Sequence, residues 1–137
     1  MASTTPIAQP QQMGAQDVIC NSLAASTTIP MGCIGCNDAG VAKNFTDTLY
    51  QGGAKLLGVA MATMENTTGS TATKRMLFQR QCVVKLSGKA GDLPTAASIG
   101  GTVYLSDNAT CKATDAGSDC PVTLVKIEGS TYFVRLP

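Results

Sequence analysis

The clearest pattern in the chain is the alternation of apolar and polar residues in its second half. In Met76–Leu86, apolar side chains occupy one parity, with Arg80 as an interruption. Successive side chains of a strand point to opposite faces, so a period of two predicts strands that bury one face. The same alternation recurs in three later segments, Gly101–Ser106, Pro121–Glu128 and Thr131–Leu136.

Turn residues separate these predicted strands. Asp107-Asn108 suits the left-handed positions of a type I′ hairpin turn, and Gly129-Ser130 has the Gly-first form of a type II′ turn. A returning strand is expected over Ala109–Thr114. Within Pro121–Glu128 the apolar parity changes between Leu124 and Val125, which predicts a β-bulge or two buried faces. These signals together predict an antiparallel meander.

An earlier apolar run, Leu56–Met64, predicts a strand packed closely on both faces, and a buried helix is the competing interpretation. Residues 1–42 differ from the rest because prolines and glycines interrupt them and no period persists. We therefore predict a largely irregular N-terminal arm over 1–42 and a β-rich domain over 43–137. The arm is either a disordered tail or a segment that orders on a partner, with these apolar anchors: Ile7, Val18, Ile19, Leu23, Ile29, Met31 and Ile34.

Composition narrows the functional classes. The chain has 137 residues, of which 44% are hydrophobic and only 14% charged, and its net charge is +1. The electrostatic field of a chain with so small a net charge does not favour binding to nucleic acid or an anionic membrane. No run approaches the ~20 apolar residues of a membrane helix, and the N-terminus lacks a secretory signal, so synthesis in a cytoplasm is expected. Without histidine, imidazole catalysis and ligation are excluded, and we expect no enzyme activity, cofactor or metal.

The region from Gly100 to the C-terminus, "GGTVYLSDNATCKAT" followed by "CPVTLVKIEGSTYFVRLP", resembles the small β-domains of tailed-bacteriophage capsid cement, or decoration, proteins. Upstream, "GGAKLLGVAMA" and "RQCVVKLSGKAGD" look like further strands of the same domain, so the resemblance covers roughly Phe45–Pro137. It implies a small antiparallel β-sandwich or barrel of the β-tulip-like kind.

The resemblance also implies a function. Cement proteins sit on the outer face of the virion shell, often as homotrimers, and bind the major capsid protein, in several cases through an extended N-terminal arm. The alternative interpretation is a secreted or surface-displayed binding module, such as an adhesin or fibre subunit with disulfides.

Six cysteines leave several chemistries open: Cys20, Cys33, Cys36, Cys82, Cys111 and Cys120. Cys111 and Cys120 bracket a short loop and are the favoured disulfide. Cys33 and Cys36 form a C-x-x-C pair that fits one zinc knuckle, a redox pair or a bond that fastens the arm. Plain buried thiols are the remaining interpretation, and spacing alone does not choose among the pairings.

Three weaker motifs complete the sequence. Lys74, Arg75 and Arg80 form a basic cluster that is either a solvated strand end or a contact with an acidic partner. Asp115 and Asp119 share a loop but lack the dense oxygen spacing of a calcium site. The glycosylation-type motifs at three asparagines are expected to be chance matches in a Thr-rich chain: Asn44, Asn66 and Asn108.

Overall fold

The fold is that of a computed structural model, which describes residues 3–9, 17–70 and 75–137, with side chains for all of these except 17–20 and 75. The predicted β-rich class is confirmed, since strands dominate and the helical elements are short. The strands are β1 Asp17–Ser22, β2 Thr27–Ile29, β3 Ile34–Asp38, β4 Val41–Asn44, β5 Lys55–Ala60, β6 Met64–Asn66, β7 Arg75–Arg80, β8 Val83–Gly88, β9 Thr102–Asp107, β10 Thr110–Lys112, β11 Pro121–Glu128 and β12 Thr131–Arg135. The helix α1 spans Asp47–Gln51, and a 3₁₀ turn spans Ala96–Ser98.

The strands form a closed barrel, an open sheet and a ribbon. The barrel has the order β10-β8-β12-β11-β9 and closes through the antiparallel β9–β10 pair, while its β10–β8 pair is parallel. The sheet has the order β1-β7-β5-β3-β4 with antiparallel pairs throughout, and β2 and β6 make a separate ribbon. Closure leaves the barrel without an edge strand, whereas the open sheet retains edges.

Local turn chemistry accounts for the two predicted hairpins, β9–β10 and β11–β12. Gly129 has φ +59°, as the first position of a type II′ turn requires, so that prediction is confirmed. The type I′ prediction is wrong, because Asn108 is not among the residues with positive φ. Instead, the Asp107 Oδ1 accepts a 2.9 Å hydrogen bond from the Ala109 N–H, an Asx-type contact that shapes the turn.

Two sequence irregularities have structural counterparts. The register of β11 against β12 shifts between Leu124 and Lys126, which confirms the predicted bulge. The single strand predicted over Met76–Leu86 is wrong, because Gln81 adopts φ +50° and divides it. The first part, β7, joins the open sheet, and the second, β8, enters the barrel. A strand at Leu56 is confirmed as β5, and the helical alternative is excluded.

The prediction of a largely irregular segment over 1–42 is wrong for residues 17–42. These residues supply β1, β2, β3 and the start of β4. In particular, β3 lies inside the open sheet, paired with β4 on one side and β5 on the other. The sequence pattern does not predict these strands, because they are short and because their burial depends on pairing with distant residues.

Two hydrophobic cores hold these layers together. The larger one lies inside the barrel and extends to the adjoining sheet through Ile34, Cys36, Phe45, Ala54 and Val59. The smaller core lies on the sheet's other side, next to Met64 of the ribbon, and consists of Leu23, Ile29, Ala42, Leu57, Ala60, Met76 and Phe78. A parallel bridge between Leu23 and Ala42 brings the end of β1 to β4, so the open sheet nearly closes into a second barrel around this core.

Gly58 allows close contact between β5 and β7. Its φ is +134°, and a Cβ at this position would lie 2.2 Å from the Gln79 carbonyl oxygen. We expect Gly58→Ala to lower the free energy of unfolding by about 2 kcal/mol or more, because both backbone strain and overpacking oppose it. Urea denaturation measures the change.

Gly69→Ala is the matched control, since Gly69 has open space around it and no positive φ. Equal stability of the two variants would contradict the assigned packing of β5 on β7.

Candidate functional site

A cluster of exposed apolar side chains lies at one end of the open sheet. Met61 and Leu77 are 42% and 50% exposed. The Met61 N–H donates a 3.1 Å hydrogen bond to the Leu77 carbonyl, which continues the β5–β7 ladder beyond Ala60. Residues directly opposite each other in such a ladder project to the same face. Met61 and Leu77 therefore form an adjacent apolar pair in contact with solvent.

Met31 extends this cluster from the neighbouring segment. The Gly32 N–H donates to the Ala60 carbonyl at 2.9 Å, and the Met31 N–H donates to the Thr63 hydroxyl at 2.9 Å. These bonds fix residue 31 beside the end of β5, where its side chain is 43% exposed. We call Met31, Met61 and Leu77 the sheet-end patch.

The N-terminal segment Ser3–Gln9 contacts Met31 of this patch through Ile7. The Ile7 N–H donates a 2.7 Å hydrogen bond to the Met31 carbonyl, and the Ile7 side chain is half-buried. A Cβ at Gly32 would lie 1.8 Å from the Ile7 carbonyl oxygen, so glycine permits this approach. The backbone of Ile7 is thus held against that of Met31.

The Gln9 side chain binds the segment to the barrel, because its amide makes the pair of hydrogen bonds that a neighbouring strand's backbone would make. Along β8, the Ser87 and Lys89 N–H groups donate to the Ala109 and Cys111 carbonyls on the β10 side. The backbone N–H of Lys85 points to the same side of β8 as those of Ser87 and Lys89, but it binds the Gln9 side chain rather than β10. The Lys85 N–H donates to Gln9 Oε1 at 2.5 Å, while Gln9 Nε2 donates to the Lys85 carbonyl at 3.3 Å.

Asn108 makes a similar two-bond contact at the other end of the segment. The Ser3 N–H donates to Asn108 Oδ1 at 2.8 Å, and Asn108 Nδ2 donates to the Ser3 carbonyl at 3.2 Å. The same Nδ2 donates to Asn44 Oδ1 at 2.9 Å. Sequence reasoning identified Asn108 as a turn residue and as part of a glycosylation-type motif, but no local pattern indicates a partner a hundred residues away.

The predicted arm anchors separate into different environments. Leu23, Ile29 and Ile34 are at most 1% exposed and belong to the protein's own cores, so their predicted role as partner anchors is wrong for this fold. Ile7 and Met31 lie together at the surface. The side chains of Val18 and Ile19 fall outside the described residues, although their backbones belong to β1.

The favoured Cys111–Cys120 disulfide is not formed, and both thiols are free. Cys111 pairs with Leu105 on one side of β9, and the Cys120 carbonyl accepts from the Leu105 N–H on the other. The two cysteines are therefore two strand spacings apart, about 9–10 Å. This exceeds the ~7 Å limit on the Cα separation of a disulfide.

Cys33 and Cys36 are also free; Cys33 immediately precedes β3, and Cys36 lies within it. The two residues between them, Ile34 and Gly35, have strand backbone, which differs from the compact turn of a C-x-x-C redox motif or zinc knuckle. Within the described ranges, no three Cys, Asp or Glu side chains form a metal-binding group. The Cys20 side chain lies outside the described residues.

The buried thiols are held in their neutral form. Burial raises the pKa of Cys36, Cys82 and Cys120 to about 11, and that of Cys111 to about 12. Burial likewise raises the pKa of Cys33. The thiolate is the reactive form of cysteine, so oxidation and alkylation of these side chains are suppressed in the folded protein.

A buried ionic cluster joins α1 to the loop before β11. Lys112 Nζ lies 2.9 Å from Asp119 Oδ2 and 3.2 Å from Asp47 Oδ2. Burial disfavours the ammonium, but hydrogen bonds to Asp119 and Asp47 outweigh it and raise the pKa of Lys112. Burial also disfavours the Asp119 carboxylate, but hydrogen bonds from Lys112, the Ala116 N–H and Gln51 lower its pKa. No local sequence motif connects these three residues.

The remaining sequence candidates have structural uses. Asn66 is buried, and its Nδ2 donates to the Ala24 carbonyl at 3.0 Å, while Asn44 Nδ2 donates to the Thr28 carbonyl at 2.8 Å. Asn108 is also buried, so glycans have poor access to the motifs at Asn66 and Asn108, whereas Asn44 is only partly buried. Asp115 Oδ1 accepts from the Gly117 and Asp119 N–H groups, and so shapes its loop.

The basic cluster and a surface cleft are the remaining candidate sites. Of the predicted basic cluster, Lys74 and the side chain of Arg75 lie outside the described residues. Beside the ionic cluster, a cleft of about 460 Å³ is lined by residues that include Tyr50, Lys55, Cys120 and Pro137. The Cys120 thiol in its wall has the raised pKa given above, so this cleft does not present an activated nucleophile.

No protein-family model, curated protein or solved structure matches the chain. In the parts that the structure describes, no helix has the length and apolar character needed to span a membrane.

Thiol reactivity tests the burial of the cysteines. In a Cys20→Ser variant, which removes the one thiol outside the description, we expect no rapid reaction with an aromatic disulfide reagent. All five remaining thiols should react once the protein is denatured, because exposure restores an ordinary pKa. Absorbance of the released chromophore measures both rates. Fast labelling of native protein would show that at least one thiol is accessible.

Proposed function

We propose that the protein is a phage capsid cement protein, which binds the outer surface of an assembled head and stabilises contacts between major capsid protein subunits. The observation that carries the proposal is the sheet-end patch, a set of three exposed apolar side chains at the end of the open sheet. Apolar side chains that are still exposed gain free energy when a partner removes them from water.

The size of this gain is suited to repeated, individually weak contacts. Each side chain of the patch retains 42–50% of its exposure, so complete burial would contribute about 1 kcal/mol per residue. Joining copies into a homotrimer, as we propose, would let several such contacts act together. A near-neutral chain also has little electrostatic repulsion between neighbouring copies.

The capsid as partner is supported by the sequence resemblance over β9 to β12. These strands form two tight hairpins that share the barrel, which suits a rigid platform on a shell. The alternative of a disulfide-containing adhesin has less support. The five described cysteines are free, and the three motif asparagines use their Nδ2 atoms within the fold.

The proposed binding surface includes fewer residues than the arm predicted from sequence. Removing residues 1–35 would delete β1 and β2 and the start of β3, so the open sheet would lose its integrity. We propose instead that Ile7 and the sheet-end patch form one binding surface, which single substitutions can alter while the strands remain intact.

Location on the virion is the direct test of the proposal. Antibodies raised against the folded protein are expected to label intact heads of the virus that encodes the chain, as seen by negative-stain electron microscopy. Labelling only after the heads are disrupted, or no labelling of either sample, would refute the proposed external position.

Leu77→Asp tests the patch. Placing a carboxylate in an apolar contact should weaken binding to heads by tenfold or more, which corresponds to about 1.4 kcal/mol. Co-sedimentation of added protein with heads that lack it measures the affinity.

Leu93→Asp provides a matched control, because Leu93 is 52% exposed but lies after β8, away from the patch. We expect near-normal binding for this variant. Equal losses from both substitutions would argue against a role for the sheet-end patch.

A further inference from the structure

The cluster of Lys112, Asp119 and Asp47 has the components of a self-forming amide cross-link. We propose that Lys112 Nζ and the Asp119 side-chain carboxyl condense into an intramolecular isopeptide bond, with Asp47 relaying protons. The nucleophile and the carboxyl are already in contact, since Nζ lies 2.9 Å from Asp119 Oδ2. This inference is independent of the proposed capsid function.

Burial makes the condensation favourable. The Lys112 and Asp119 side chains are 2% and 0% exposed, so little water competes with the amine or hydrolyses the product. Holding two reacting groups in contact replaces a bimolecular encounter with an intramolecular step. The product is a neutral amide, which removes the desolvation penalty of a buried ion pair.

The surroundings of Asp119 are arranged for attack at its carboxyl carbon. Gln51 Nε2 donates to Oδ1 at 2.6 Å, and the Ala116 N–H donates to Oδ2 at 2.6 Å. Donors at both oxygens would stabilise the charge that develops on oxygen in a tetrahedral intermediate. They also hold the carboxyl group in one orientation towards Lys112.

Asp47 supplies the proton relay. Its Oδ2 lies 3.2 Å from Lys112 Nζ, and its side chain is 28% exposed, so it contacts both the amine and solvent. Asp47 accepts one proton from the ammonium, and the amine attacks Cγ of Asp119. The new C–N bond forms as a C–O bond breaks, and one Asp119 oxygen leaves as water with the two protons lost by nitrogen. No oxidant or cofactor is required.

The bond would connect strands that do not pair with each other. Lys112 of β10 and Pro121 of β11 both pair with Tyr104, on opposite sides of β9. Asp119 precedes β11, so the Lys112–Asp119 amide would bridge across the edge of β9. The amide would therefore link β10 covalently to the segment before β11, across β9 and next to α1.

Mass spectrometry of the full chain tests the proposal. We expect purified protein, denatured and reduced, to be lighter than its sequence mass by one water molecule. Trypsin should then fail to cleave after Lys112 and release a peptide covering 90–126 that carries the same loss. Lys112→Met should have its full sequence mass, which separates the isopeptide from cyclisation of an aspartate with its own backbone.

Asp119→Asn gives a second readout that does not depend on removing the bond. An asparagine reacts with loss of ammonia, so the variant and the wild type should converge on one cross-linked mass. Asp47→Asn should retain the pair but accumulate uncross-linked chain. Full sequence mass for the wild type, with normal cleavage at Lys112, would mean an ion pair only and would overturn the proposal.

Discussion

The stability of both the barrel and the open sheet rests on the joint between them. The Ile34 N–H of β3 donates a 2.8 Å hydrogen bond to the Asn108 carbonyl of the β9–β10 turn. Ile34 in turn accepts from the Phe45 N–H at 2.9 Å, and Thr46 forms a bridge with Asp107. Ile34 and Phe45 are fully buried in the core that fills the barrel. The sheet and barrel therefore share both backbone pairing and apolar packing, and neither buries its surface without the other.

This joint also positions the proposed binding surface. Asn108 contributes its carbonyl to Ile34 and its amide to Ser3 and Asn44, so one turn residue organises the sheet, the barrel and the N-terminal segment. The segment then reaches Met31, whose position is fixed against the end of β5. An apolar patch held in this way loses little further conformational entropy when a partner covers it, which favours binding. The proposed surface-binding role would use this rigidity, and the proposal of a capsid partner rests on the sequence resemblance.

Sequence reasoning succeeded where local chemistry determines structure. Gly129 specifies a II′ turn through its backbone freedom, and the parity change at Val125 marks a bulge within one strand. Sequence reasoning failed where the pairing of distant strands determines the structure. The short strands β2 and β3 show little alternation of apolar and polar residues. Leu23 and Ile29 were predicted to be partner anchors, but they are buried in the smaller core. Likewise, the spacing of Cys111 and Cys120 does not reveal that β9 lies between them. The Lys112 cluster joins positions 47, 112 and 119, which no local motif connects.

Native-state hydrogen exchange by NMR tests the shared joint most directly. If barrel and sheet form one cooperative unit, the Ile34 and Phe45 amides should exchange with the same free energy as the Leu105 amide within β9, close to that of global unfolding. Asn108→Ala, which breaks the contacts to Ser3 and Asn44, should lower all three values together. Exchange of the Ile34 and Phe45 amides at a clearly lower free energy than Leu105 would show that the sheet opens while the barrel stays folded, so that the two do not form one cooperative unit.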